Sequence, residues 1–79
     1  MLQRVLYVDD DEALTELAEL VLDMADIETL SCHSGRDAIV RVVAPYLVLL
    51  DREMPEMNGP STLRALRQVP GLELIPAFF

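Results

Sequence analysis

The chain predicts an α/β fold, an open, doubly wound parallel sheet, and two observations carry that prediction. Short apolar runs alternate with stretches of helical periodicity, and acids stand directly after the first and third runs. Val5-Leu6-Tyr7-Val8 leads into Asp9-Asp10-Asp11-Glu12, and Leu47-Val48-Leu49-Leu50 leads into Asp51. Runs of this kind suit buried strands of a parallel sheet. Strand and helix in repeated alternation imply parallel neighbours joined by right-handed crossovers. In such sheets ligands gather outside the carboxyl ends of the strands. Carboxylates on two strand ends can converge there, which makes a site, and a cation is its natural occupant.

Residues 4–8 form the first strand. From Glu12 the period changes: Leu14, Leu17, Ala18, Val21, Leu22 and Ala25 recur at helical spacing, with Glu16, Glu19 and Asp23 on the other side. The acids of its first turn suit the helix dipole. Residues 27–32 form a short second strand with Leu30 and Cys32 facing inward. Ser34-Gly35-Arg36-Asp37 fits a capping box and opens a second helix to about Val43, which Ala44-Pro45 ends. Residues 46–50 form a central third strand. Pro55 and the Asn58-Gly59 pair make 51–59 a loop, and Pro60 suits the first position of a third helix reaching about Gln68. Pro70-Gly71 stops it, and residues 75–79 enter a fourth strand.

Seventy-nine residues make one small domain, which buries only about 60–65% of its unfolded surface. Hydrophobic residues make up 52% of the chain, enough for a packed core and against disorder. No apolar stretch approaches the roughly 18 residues of a membrane span, and no signal-peptide pattern opens the chain, so a cytoplasmic location is expected and no membrane contact. The net charge of −8 argues against direct nucleic-acid binding by this segment. Cys32 is alone and suits a small core residue. All six basic residues are arginines; the chain has no lysine.

Asp9 or Asp10 alone could simply cap the helix that follows. Together with Asp51 they ask for more. At about 4 Å and an effective dielectric near 20, two like charges repel by roughly 4 kcal/mol, which a cation would relieve. Oxygen-only ligands favour Mg²⁺ or Ca²⁺ over zinc, and a few carboxylates with open positions suit Mg²⁺.

With these residues in view, the chain resembles the N-terminal two thirds of a response-regulator receiver domain, the phosphoacceptor module of two-component signalling. The resemblance covers essentially the whole chain. It rests on residues 5–12, on Leu47-Val48-Leu49-Leu50-Asp51, and on the loop Asp51-Arg52-Glu53-Met54-Pro55-Glu56-Met57-Asn58-Gly59. It implies a flavodoxin-like sheet in the order 2-1-3-4, with residues 1–79 a receiver truncated after strand four, its final strand and helices missing. It implies that Asp51 accepts phosphoryl from a sensor histidine kinase or phosphotransfer protein. Asp9, Asp10, Asp51 and the backbone carbonyl of Glu53 would hold Mg²⁺. A downstream output domain is a further implied partner. The domain would take part in its own phosphorylation and dephosphorylation without being a turnover enzyme. Carboxylates do form acyl phosphates, and Mg²⁺ screens the charge of the group in transfer.

Departures from the pattern narrow these expectations. Receivers carry a Ser or Thr at the end of strand four and a Lys at the end of strand five; the first would fall just beyond Phe79, and the second is absent. Tyr46 stands where an Asp is usual, and the loop before strand three is slightly short. A degenerate receiver acting as a docking module is therefore the alternative. An aspartate-nucleophile phosphatase of the haloacid dehalogenase type would also use Asp9-Asp10-Asp11, but it leaves Asp51 and its loop unexplained. Glu53 either tunes acyl-phosphate hydrolysis or is an ordinary loop acid, and Arg52 either attracts phosphate or is merely solvated. His33 suits a surface or capping role, Met54 and Met57 pack, and Phe78 and Phe79 read as core. A chain stopping inside an apolar run should expose apolar surface and self-associate.

Overall fold

The computed structural model describes residues 3–41 and 47–79. In chain order the elements are β1 (Gln3–Val8), α1 (Glu12–Met24), β2 (Ile27–Cys32), α2 (Gly35–Arg41), β3 (Leu47–Leu50), α3 (Gly59–Leu66) and β4 (Ala77–Phe78). The four strands make one sheet in the order β2-β1-β3-β4, and every pairing is parallel. Order and direction are those the sequence implied. The register matters most at the carboxyl ends, where Val8 lies level with Cys32 on one side and Leu50 on the other.

Strand alternation divides the side chains between two faces. Leu6, Val8, Cys32, Val48 and Leu50 point to one face and form the core with Ala38 of α2, Leu66 of α3, and Met54, Leu72 and Ile75 from the connections. Leu6, Val8, Cys32, Val48 and Leu66 are all fully buried. The other face carries Val5, Tyr7, Leu47 and Leu49, and α1 adds no residue to the core cluster. Thr15 is the one buried residue of α1. Leu14, Leu17 and Val21 remain 50–56% exposed. The amphipathic stripe of α1 is real, and the described residues cover little of it.

Local chemistry sets the element ends. Asp11 caps α1, its side chain accepting from the Leu14 N–H, and Asp26 makes the tight turn into β2 at φ 59°, a conformation that a short polar side chain tolerates. Ser34 Oγ accepts from the Asp37 N–H at 3.0 Å, which is half of the expected capping box. The Asp37 carboxylate instead pairs with Arg41, one helical turn on. The expected end of the second helix at Val43 and Ala44-Pro45, and the start of the third strand at Tyr46, lie outside the described residues. In α3 the cap is Asn58, accepting from the Ser61 N–H, so Gly59 takes the first helical position and Pro60 the second. The α-helix ends at Leu66, and single turns at Gln68 and Val69 carry the chain to where the sequence placed the stop.

Two expectations fail at β4. The strand is two residues long, because Ile75 turns into the core and Pro76 has no N–H to give the ladder. Phe78 and Phe79 are 59% and 53% exposed rather than buried, since among the described strands β4 pairs only with β3. Open strand edges and apolar stripes of this kind favour association. The 79-residue chain is therefore expected to self-associate as concentration rises, with light scattering showing species above the monomer mass. A cooperative monomer at high concentration would contradict that expectation.

Candidate metal and phosphoacceptor site

The site is assembled by the pairing of β1 with β3. Because Val8 and Leu50 are level, the next residue of each strand, Asp9 and Asp51, leaves the sheet at the same height. Backbone bonds continue one step past the strands: Asp51 N donates to Val8 O at 2.7 Å, and Asp9 N donates to Cys32 O at 3.0 Å. Asp9, Asp10 and Asp51 each offer a carboxylate oxygen, and these atoms lie within 4.8 Å of one another. The three acids singled out from the sequence are thus brought together.

They are not equivalent. Asp9 is buried, and each of its oxygens already has a partner: Oδ1 accepts from the Asp11 N–H at 2.9 Å, and Oδ2 accepts from the Tyr7 hydroxyl at 3.2 Å. Asp10 is exposed, and Asp51 is half-buried. Partial burial pushes the Asp51 carboxyl above its usual range, and the negative charges of Asp9 and Asp10 push the same way. A hydrogen bond from the Glu53 backbone opposes them. Glu53 therefore reaches the site through its main chain, with its side chain exposed.

The loop after Asp51 is held by contacts that explain its composition. Gly59 N donates to Arg52 O at 2.8 Å, and a Cβ at Gly59 would lie 2.5 Å from the Asp51 carbonyl oxygen. Only glycine lets α3 start this close to Asp51. Met54 turns into the core, as expected of a packing residue. An open cleft of ≈ 460 Å³ borders the acids, lined by Tyr7, Asp9, Asp51, Arg52, Phe78 and Phe79 together with Leu49 and Leu50.

Several sequence readings are settled by these positions. Asp11 caps α1 and stands outside the group formed by Asp9, Asp10 and Asp51. His33 is exposed; its Nδ1 lies 3.3 Å from the Asp9 carbonyl oxygen, and it takes no part in the carboxylate cluster. Cys32 is buried beneath the sheet end and its thiol is pushed up to about 11, chiefly by desolvation, so it stays a neutral core residue. Tyr7 was missed. Strand alternation puts residues 7 and 9 on one side, which was signal enough to expect a phenol beside Asp9. Burial, then Asp9, raises the Tyr7 hydroxyl above its usual range, which keeps it a proton donor.

The acid pair has a measurable signature. A carboxyl whose folded pKa is raised binds protons more readily in the folded state, so stability falls as pH rises through that window. Without metal, Asp51→Asn should therefore be more stable than the wild type at neutral pH. Urea midpoints should show this gap narrowing as pH falls through the upper carboxylate range. A gap that is constant with pH would mean that neither burial nor the neighbouring charges raise the Asp51 carboxyl.

Comparison with known proteins agrees with this geometry. Residues 5–76 match the family model described as response regulator receiver domain. The DNA-binding response regulator MtrA of Mycolicibacterium paratuberculosis is 40% identical over 77 residues, covering 95% of this chain and 34% of that protein. The chain thus spans about a third of the length of the curated relatives it matches. Chemotaxis protein CheY4 of Vibrio cholerae superposes with a TM-score of 0.94 at 24% identity, over 98% of this chain and 66% of that one. The response regulator TrrA of Thermotoga maritima, solved in complex with Mg²⁺-BeF, has a TM-score of 0.80 at 28% identity over 87% of this chain and 62% of its own. The acids at the strand ends, the parallel order β2-β1-β3-β4 and these relatives lead to one conclusion: the chain belongs to the response regulator receiver domain family of two-component systems.

Proposed function

We propose that this receiver accepts a phosphoryl group on Asp51 from a phosphohistidine of a sensor histidine kinase or phosphotransfer protein, with Mg²⁺ as the required cation. The observation that carries the proposal is the meeting of Asp9, Asp10 and Asp51 oxygens within 4.8 Å, next to an open cleft. The donor set fits Mg²⁺: it is all oxygen, it leaves room for water and phosphate, and it suffers mutual repulsion without a cation. Asp9, Asp10, Asp51 and the Glu53 carbonyl are the residues proposed to hold it. Bound there, Mg²⁺ would neutralise charge on the transferred oxygens.

The protein residues do the rest. Asp51, half-buried and facing the cleft, supplies the attacking oxygen. Burial, then the charges of Asp9 and Asp10, raise its proton affinity; a bound cation would offset this, so the metal-loaded acid is the ionised nucleophile. Asp9 is fixed by Tyr7 and by the Asp11 N–H and can rotate little; Asp10, exposed, is the more adaptable ligand. Phosphorylation of Asp51 would change charge and contacts on the loop to Gly59, and a downstream output domain is the proposed reader of that change. The location proposed is the cytoplasm; no helix among the described residues is long and apolar enough to cross a membrane.

Intact mass after treatment with a small phosphodonor tests the reading. One phosphoryl adduct is expected with Mg²⁺ and none after chelation. Asp51→Asn should abolish the adduct and keep the fold, while Asp10→Asn should slow its formation by about tenfold or more through weakened metal binding. A phosphorylated Asp51→Asn protein, or an adduct that forms without divalent metal, would overturn the proposal. Folded protein with Mg²⁺ bound and no adduct would instead favour the docking-module alternative.

A further inference from the structure

The cleft beside the acceptor has a feature that the carboxylate cluster does not account for. Its polar lining comprises the acids Asp9 and Asp51, the Tyr7 phenol, and a single base, Arg52. Phosphoryl transfer brings three anionic oxygens to this place, and hydrogen-bond donors aimed at them are worth most. The chain contains no lysine, so any cationic side chain it contributes is an arginine.

Arg52 is held ready for such a role. Its guanidinium carbon sits 5.0 Å from the centre of the Phe79 ring. A guanidinium held over an aromatic ring by its charge keeps N–H groups free along its edge. The ion pairs found among the described residues are Arg4–Glu28 and Arg41–Asp37, and neither involves Arg52. Its backbone is fixed as well, by the bond from Gly59 N to Arg52 O. Phe79 also comes 3.0 Å from the place where a Gly59 Cβ would stand, so ring, glycine and arginine form one packed group.

We infer that Arg52, seated on Phe79, donates to the phosphoryl oxygens on Asp51 and lengthens the life of the acyl phosphate; this rests on the phosphoacceptor reading above. In the transfer, an Asp51 carboxylate oxygen forms the new P–O bond. The donor's P–N bond breaks, and its electron pair leaves with the donor nitrogen. Arg52 exchanges no proton; it neutralises charge on the non-bridging oxygens through charge-assisted hydrogen bonds.

The test uses the full chain with a small phosphoramidate donor and Mg²⁺, followed by intact mass. Arg52→Gln should slow adduct formation and shorten its lifetime after donor removal, each by about three- to tenfold, since an exposed donor competes with water. Arg52→Lys should recover part of the loss, and Phe79→Ala should fall between wild type and Arg52→Gln. The Mg²⁺ concentration for half-maximal rate should stay as in the wild type in all three, which a general disturbance of the site would not allow. Arg52→Gln protein with wild-type rate and lifetime overturns the inference and leaves Asp51 as acceptor intact. A shifted Mg²⁺ requirement assigns Arg52 to the metal site and overturns it too. A wild-type chain that takes no phosphoryl on Asp51 removes the phosphoacceptor reading and this inference with it.

Discussion

Everything at the functional end of this domain depends on β1 and β3 being paired in register, with Val8 level with Leu50. That pairing carries Asp9 and Asp51 off the sheet side by side and lets Asp10 close the group to within 4.8 Å. A slip of one residue would turn the acids to opposite faces, since side chains alternate along a strand. The register is enforced from below by burial of Leu6, Val8, Val48 and Leu50 on one face. Folding energy from an apolar layer is thus used to hold like charges together, a repulsion that the proposed cation would relieve.

The same layer explains the lopsided architecture. Helices α2 and α3 pack on each other and close the core, and Gly35 permits the approach, since a Cβ there would meet Thr62 and Met57. Of α1 itself only Thr15 is buried, while Leu14, Leu17 and Val21 stay half exposed. The close packing therefore lies behind the acids and under the loop that ends at Gly59. Among the described residues nothing pairs with the outer edge of β4, and there the exposed Phe78 and Phe79 rings line the cleft.

Much of this was legible in the amino-acid sequence, for definite reasons. Apolar runs ending in aspartates located β1 and β3, and the strand–helix alternation with the receiver-like motifs implied the parallel order that is found. Asp9, Asp10 and Asp51 were legible as a group because Asp9-Asp10 and Asp51 come straight after apolar strand runs. What escaped was set by tertiary contacts. Propensity cannot tell that Ile75 turns inward and leaves β4 two residues long, nor that Phe78 and Phe79 stay exposed on an outer strand. Asp37 satisfies the capping pattern in spelling, yet its carboxylate is drawn to Arg41. Tyr7 was hidden among apolar neighbours, where its hydroxyl attracts no notice until Asp9 is placed beside it.

The central claim is that three converging carboxylates make a divalent-cation site rather than a solvated acidic edge. Thermal unfolding across a Mg²⁺ titration, matched against NaCl at equal ionic strength, tests it most directly. Ligand that binds only the folded state raises the melting temperature in a saturable way. A saturable rise with Mg²⁺, absent with NaCl and lost in Asp10→Asn, is the predicted result. An equal rise with NaCl, or a rise that survives in Asp10→Asn unchanged, would show general charge screening and contradict the account.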